Sequence, residues 1–181
     1  MNQIAQEIAN YTAENSNFDT KRDYIGMSNA GMKTEDIIRQ MNQPMEDNLP
    51  IRLKCYKGYQ MEKDLIARMK AIYGDRIQPA TEITAYDGKV KGHPDFEFDG
   101  LPADCKSVAR DEWMPKDGKL PRRVYYQMQA YLKYSGKPKA LVIYESRESG
   151  IIENFWINPN QAVMKEIENR MEEVIEATAL K

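Results

Sequence analysis

Apolar positions along this chain follow two periods. In "YKGYQMEKDLIARMKAIYG" (56–74), Leu65, Met69 and Ile72 recur at helical spacing and Gly74 closes the run, so the pattern predicts a helix. Upstream, "SNAGMKTEDIIRQM" (28–41) predicts a short helix with Ser28 as its cap, and "MNQPMEDNLP" (41–50) a loop. Beyond Gly74 the period shortens. "IQPATEITAYDGK" (77–89) reads as a strand and "HPDFEFDGLPADCKSV" (93–108) as a hairpin. "PRRVYYQMQAYLKYSG" (121–136) carries helix punctuation at both ends, Pro121 and Gly136. "ALVIYES" (140–146) and "IIENFWI" (151–157) predict two more strands around a Glu-Ser-Gly turn, and the tail from Pro159 an amphipathic helix. This order predicts an α/β fold, a small central mixed β-sheet flanked by helices. With no repeat and no linker rich in Gly, Pro or Ser, a single domain over 1–181 is expected. Residues 1–45 would form a helical N-terminal extension and 159–181 a C-terminal helix.

Composition narrows the class. The 181 residues are 41% hydrophobic and 30% charged, ordinary for a globular protein. No apolar run is long enough to span a bilayer, and "MNQIAQEIANYTAEN" lacks the basic-then-apolar order of a signal peptide, so a cytoplasmic protein without membrane partners is expected. Cys55 and Cys105 are too few for a zinc or iron–sulfur site of their own. A net charge of −2 argues against coating nucleic acid by bulk charge. It leaves room for a local basic face. From Lys106 to Lys139 nine Lys or Arg residues meet only Asp111, Glu112 and Asp117, so 9 − 3 gives +6. The C-terminal helix is acidic and is expected to face away from DNA. Trp113 in the intervening loop is expected to cover the core; base stacking is its other reading.

The hairpin holds the candidate chemistry. Asp-Gly is a strong two-residue turn because both central positions favour positive φ. With Asp99-Gly100 as the turn, Phe98 pairs with Leu101 and partner numbers sum to 199. Asp95 then faces Asp104 in an open pair with Cβ atoms roughly 4.5 to 5.5 Å apart, and His93 faces Lys106. Pro94 falls at a hydrogen-bonded position, where the ladder should fray. Two carboxylates so close repel unless a cation neutralises them, and oxygen donors favour a hard ion such as magnesium or manganese. Lys106 points to the same side. A solvated hairpin with its acids in water is the alternative. Asp-x-Lys alone carries no weight, since Asp19-Lys21, Asp87-Lys89 and Asp117-Lys119 match it too.

"PD" at 94–95 followed by "DCK" at 104–106 resembles the metal site of the PD-(D/E)xK nuclease superfamily, and "QMQAY" (127–131) is similar to the Q-x-x-x-Y motif of its RecB-like branch. "YIGMSNAG" (24–31) and "GYQMEKDL" (58–65) resemble N-terminal elements of lambda-exonuclease and YqaJ-like recombination nucleases. The likeness runs over roughly residues 24 to 145 and implies a restriction-endonuclease-like core. It implies Asp95 and Asp104 as metal ligands, the Cys105 carbonyl as a further ligand, Lys106 as the catalytic lysine and Glu62 as an acid supplied from a helix. Any surface helix could show such an acid, so Glu62 keeps that plainer reading too. One or two Mg2+ or Mn2+ ions are implied. The cysteine quartet of CRISPR-associated relatives is missing, so no iron–sulfur cluster is expected.

Gln127 and Tyr131 share one helix face with Arg123 a turn earlier and Arg122 beside it, a candidate DNA-contacting ridge. Tyr125, Met128 and Leu132 form the core stripe of the same helix. His93 is read as a turn-side residue. The expected activity is metal-dependent DNA exonuclease action of phage-recombination type on linear double- or single-stranded DNA. A restriction or structure-specific endonuclease, or a non-catalytic DNA- or protein-binding module on this fold, stands as the alternative. The resemblance also admits a ring-like homo-oligomer and a single-strand annealing protein as partner.

Overall fold

The computed structural model describes residues 3–15, 22–43 and 48–178. In chain order come α1 (Gln3–Glu14), β1 (Ile25–Gly26), a 3-10 turn (Met27–Asn29), α2 (Thr34–Asn42) and α3 (Leu49–Tyr73). Then follow β2 (Ile77–Gln78), β3 (Ile83–Ala85), β4 (Val90–Gly92), β5 (Phe96–Phe98), β6 (Leu101–Val108), α4 (Arg122–Ser135), β7 (Ala140–Ser146), β8 (Ile152–Ile157) and α5 (Gln161–Thr178). Five strands form a mixed sheet in the order β2-β5-β6-β7-β8, in which only β6 and β7 run parallel. That parallel step is why α4 exists: parallel neighbours need a crossover, and α4 supplies it. Sequence patterning did not predict the second sheet, β1-β4-β3.

Burial alternates along β7. Leu141 and Ile143 join Leu65 and Met69 of α3 together with Phe96 and Phe98. Val142 and Tyr144 point the other way, into a core with Met128 and Leu132 of α4 and Ile167 and Met171 of α5. A strand covered on both faces must be apolar at every position, which is why "ALVIYES" opens without polar alternation.

Several local expectations need correction. Ser28 caps no helix: it lies in the 3-10 turn, and α2 starts at Thr34. The helix expected from residue 56 starts at Leu49, because the Asn48 side chain accepts from the Ile51 N–H at 3.1 Å and Pro50 suits the first turn. Of the three apolar residues at helical spacing, Leu65 and Met69 are buried while Ile72 is 72% exposed. The strand expected over 77–89 splits between the two sheets, with Pro79 in the break. Within the expected N-terminal extension, residues 25–42 pack into the body of the fold. Ile25, Met27, Ala30 and Ile37 are fully buried in the larger core, and Ile25 pairs with Val90.

The hairpin turn forms as patterned, with Asp99 at φ 53° and Gly100 at φ 72°. Arg76 grips the Asp99 carboxylate from outside, Nε to Oδ1 at 2.9 Å and Nη2 to Oδ2 at 2.6 Å. Two Asp-x-Lys decoys are turns as well: Asp87-Gly88 and Asp117-Gly118 both take positive φ. The third, Asp19-Lys21, lies outside the described residues.

Candidate active site

The registered ladder pairs Phe98 with Leu101, Glu97 with Pro102 and Phe96 with Ala103, and there it stops. The Asp95 N–H donates to the Ala103 carbonyl at 2.9 Å, one residue short of the expected register. Asp95 is therefore not the cross-strand partner of Asp104. Its carboxylate turns instead onto the backbone of β6, where Oδ2 accepts from the Cys105 N–H at 2.6 Å. The fray expected at Pro94 is what frees it.

Alternation along β6 sends Asp104 toward α4 and packs Cys105 against the α3-side core. Asp104 is 1% exposed. Its Oδ1 accepts from Gln127 Nε2 at 3.2 Å and lies 3.4 Å from the Tyr131 hydroxyl. That hydroxyl accepts from the Gln127 amide at 2.8 Å and is 3.1 Å from the His93 carbonyl, so its one proton is shared between two acceptors. Asp104 Oδ2 takes no hydrogen bond of ordinary geometry; the Lys106 ammonium alone lies against it.

From the other side, α3 brings Glu62 to a cleft of about 140 Å³ shared with Lys106, Ser107, Cys105 and Glu145. Burial raises the Glu62 carboxyl above its ordinary value, and Asp104 raises it further while Lys106 opposes. Asp95 is pushed well up, by burial first and then by Asp104 and Glu62. Burial pulls the Lys106 ammonium down, and Asp104 and Asp95 more than reverse that. The Cys105 thiol is raised by burial and by the same acids, so it stays a thiol. Three carboxylates thus converge on one lysine. Acids outnumber bases in the site, and their crowding disfavours ionising all three at once.

Among the described residues, no three Asp, Glu, His or Cys side chains stand close enough as they are to hold a metal ion. The donor set nonetheless fits a hard divalent cation. It offers oxygen ligands, and an Asp104 oxygen whose one close neighbour is the Lys106 ammonium, a place where positive charge is already wanted.

Two of the four residues expected in a DNA ridge on α4 are corrected, while Arg122 and Arg123 stay exposed. Gln127 and Tyr131 are buried at 7% and 1% and hold Asp104 from within, so neither presents a surface to DNA. Arg122 pairs with Glu166 of α5 at 2.9 Å and covers the Tyr126 ring, while Arg123 donates to the Ser28 carbonyl at 3.2 Å. Lys133 likewise pairs with Glu168, so α5 neutralises part of the basic run. Trp113 does not cover the core: it is 56% exposed with the Arg110 guanidinium 5.8 Å from its ring. His93 does not face Lys106. Its exposed ring lies between Glu82 and Tyr24, and only its carbonyl serves the site.

Tyr144 and Glu145 escaped sequence reasoning. The parallel ladder sets Lys106 beside Tyr144 and Ser107 beside Glu145, and Arg68 of α3 holds Glu145 at 2.6 Å. The Tyr144 hydroxyl, pushed up to about 12 by burial, is buried without a partner. Their one sequence signal is the polar end of "ALVIYES".

No protein-family model matches this chain, and no curated protein does. Solved structures do. An alkaline exonuclease from Laribacter hongkongensis aligns at TM-score 0.65 and 15% identity, over 87% of this chain and 88% of that one. The fold is shared with exonucleases. The same enzyme in complex with dAMP aligns at TM-score 0.65 over 94% and 92% of the two chains, again at 15% identity. A phage-related exonuclease from Haemophilus somnus 129PT aligns at TM-score 0.64 and 12% identity, over 90% and 96%.

Proposed function

We propose that this chain is a magnesium- or manganese-dependent deoxyribonuclease that hydrolyses phosphodiester bonds from the ends of linear DNA. One observation carries the reading: Glu62 and Lys106 line one cleft, Asp104 lies against Lys106, and Asp95 is bound to the Cys105 N–H between them, three acids around one lysine. The fold shared with exonucleases, one of them solved with dAMP, supports DNA as the polymer.

Asp95, Asp104, Glu62 and the Cys105 carbonyl would hold one or two ions. A bound ion would supply a water of lowered pKa and stabilise charge on the phosphate. Gln127 and Tyr131 keep Asp104 Oδ1 fixed, so only Oδ2 can change partners. With an ion held by these acids, the Lys106 ammonium, which now lies against Asp104, would be free to hold the attacking water or a phosphate oxygen. Neutralising Asp104 and Glu62 would remove part of what raises Asp95, and the Cys105 N–H would then favour its ionised form.

Linear and covalently closed DNA incubated with Mg2+, Mn2+ or a chelator tests this. Loss of linear DNA only with metal, abolished by Asp104→Ala, is the expected result. No cleavage in either metal, or undiminished cleavage by the variant, overturns it. Nicking of closed circles would instead assign endonuclease action. A second reading is a module that binds DNA without cutting it, since no three such side chains are grouped among the described residues. Calorimetric titration with Mn2+ separates the two, because uptake that depends on Asp95 belongs to the nuclease alone.

A further inference from the structure

Strand β8 ends the five-stranded sheet, and among the described residues nothing pairs with its outer edge. The Ser146 N–H bonds the Ile151 carbonyl at 2.9 Å, which sets the alternation along β7 and β8. Glu153, Phe155 and Ile157 exchange hydrogen bonds with β7, so Ile152, Asn154 and Trp156 turn their N–H and C=O groups outward. The side chains of these same three residues line an apolar groove of about 500 Å³ with Ile72 and Tyr73 of α3. Ile152 and Trp156 are 46% and 45% exposed. A long, apolar, unpaired edge is a template for another strand. On the opposite face a second cleft runs beside β8, shared by Phe155, Lys119 and Tyr125.

We propose that β8 pairs antiparallel with β8 of a second copy of this chain, about a twofold axis at Asn154. This register sets Asn154 against its twin and Ile152 against the partner's Trp156, twice over. All three outward residues then exchange hydrogen bonds, and the apolar side chains meet on the groove face. Charge selects the register. Glu153 is the strand's one charged residue, and this pairing places it opposite the partner's Phe155, beside the partner's Lys119. Both Glu153 and Lys119 are exposed, and the ion pairs among the described residues use neither. Moving the axis to Glu153 would set that acid against its own copy. Moving it to Phe155 would leave Ile152 outside the outward pairs. The exposed Ile72 and Ile151 extend the apolar contact beyond the ladder, toward the area a stable interface needs.

In the paired assembly the two Asp104 residues lie five strand spacings apart, roughly 24 Å. Assembly and hydrolysis are therefore separate readouts. Sedimentation equilibrium over about 1 to 100 μM protein tests the proposal. The wild type is expected to dimerise and Asn154→Pro to be monomeric, because proline removes an outward N–H that β7 does not use. Glu153→Lys and Lys119→Glu should each weaken the dimer by about tenfold or more. The double reversal should restore it. Should Asn154→Pro fail to fold, as judged by circular dichroism, the charge swap decides alone. A wild type that stays monomeric throughout overturns the proposal. So does any assembly that neither the proline nor the reversals move.

Discussion

Gln127 Nε2 lies 3.2 Å from Asp104 Oδ1 inside the core, and the same amide is 2.8 Å from the Tyr131 hydroxyl. Residues four apart on α4 stack along one face, so a glutamine and a tyrosine at that spacing can hold a single carboxylate from β6. The Q-x-x-x-Y pattern here is thus a support for an acid, with the Tyr131 hydroxyl also tied to the His93 carbonyl.

Gln127→Ala should lower turnover by about 10- to 100-fold, the usual loss when a partner behind a metal ligand is removed. KM for DNA should stay within about twofold, because the side chain is buried and touches no substrate. Steady-state kinetics on linear DNA checks this. A raised KM with unchanged turnover would return the residue to a DNA-contacting role.

Stability should depend on pH through Asp95. Burial, Asp104 and Glu62 hold its folded-state value well above the ordinary one. Its contribution to stability is therefore full below the unfolded value of about 3.9 and is lost as pH rises through the folded value. Asp95→Asn removes the titration and can still accept from the Cys105 N–H. In chelator the variant should melt above the wild type at pH 8, and the gap should close toward pH 4. Thermal melts across that range decide it, and a gap independent of pH would contradict the account.

Two glycines should respond oppositely to alanine. A Cβ on Gly31 would sit 2.7 Å from the Arg123 Cα, a backbone atom that cannot step aside. Gly31→Ala should destabilise by about 1 to 3 kcal/mol. Gly58, inside α3, meets nothing within 4 Å, so Gly58→Ala should stabilise by about 0.5 to 1 kcal/mol. Urea unfolding of both variants measures the contrast.

Trp113 is exposed beside Arg110, so Trp113→Ala should change folding stability by less than about 0.5 kcal/mol. If its ring stacks on a base, single-stranded DNA binding in chelator should weaken by about 1 to 3 kcal/mol. Fluorescence anisotropy with a labelled oligonucleotide reads both the size and the strand preference. Unchanged affinity would remove Trp113 from the DNA path.

Local chemistry was legible in the chain before folding. An Asp-Gly pair demands positive φ, Pro121 and Gly136 bracket a helix, and continuous apolar residues mark a strand covered on two faces. These signals depend on neighbours a few positions apart. They placed the hairpin, α4, β7 and β8, and they put Asp104 and Lys106 on one face of one strand.

What the chain's own pattern could not express is which distant surfaces meet. Whether Gln127 faces solvent or Asp104 depends on the crossover that lays α4 over β6, 23 residues away in sequence. The slip that frees Asp95 from its expected partner, the arrival of Glu62 from α3 and the unpartnered Tyr144 hydroxyl beside Lys106 follow from packing of the whole sheet. Short-range sterics write the elements into the sequence; burial and charge become shared only when the elements close on one another, and so the acidic centre is a property of the tertiary structure.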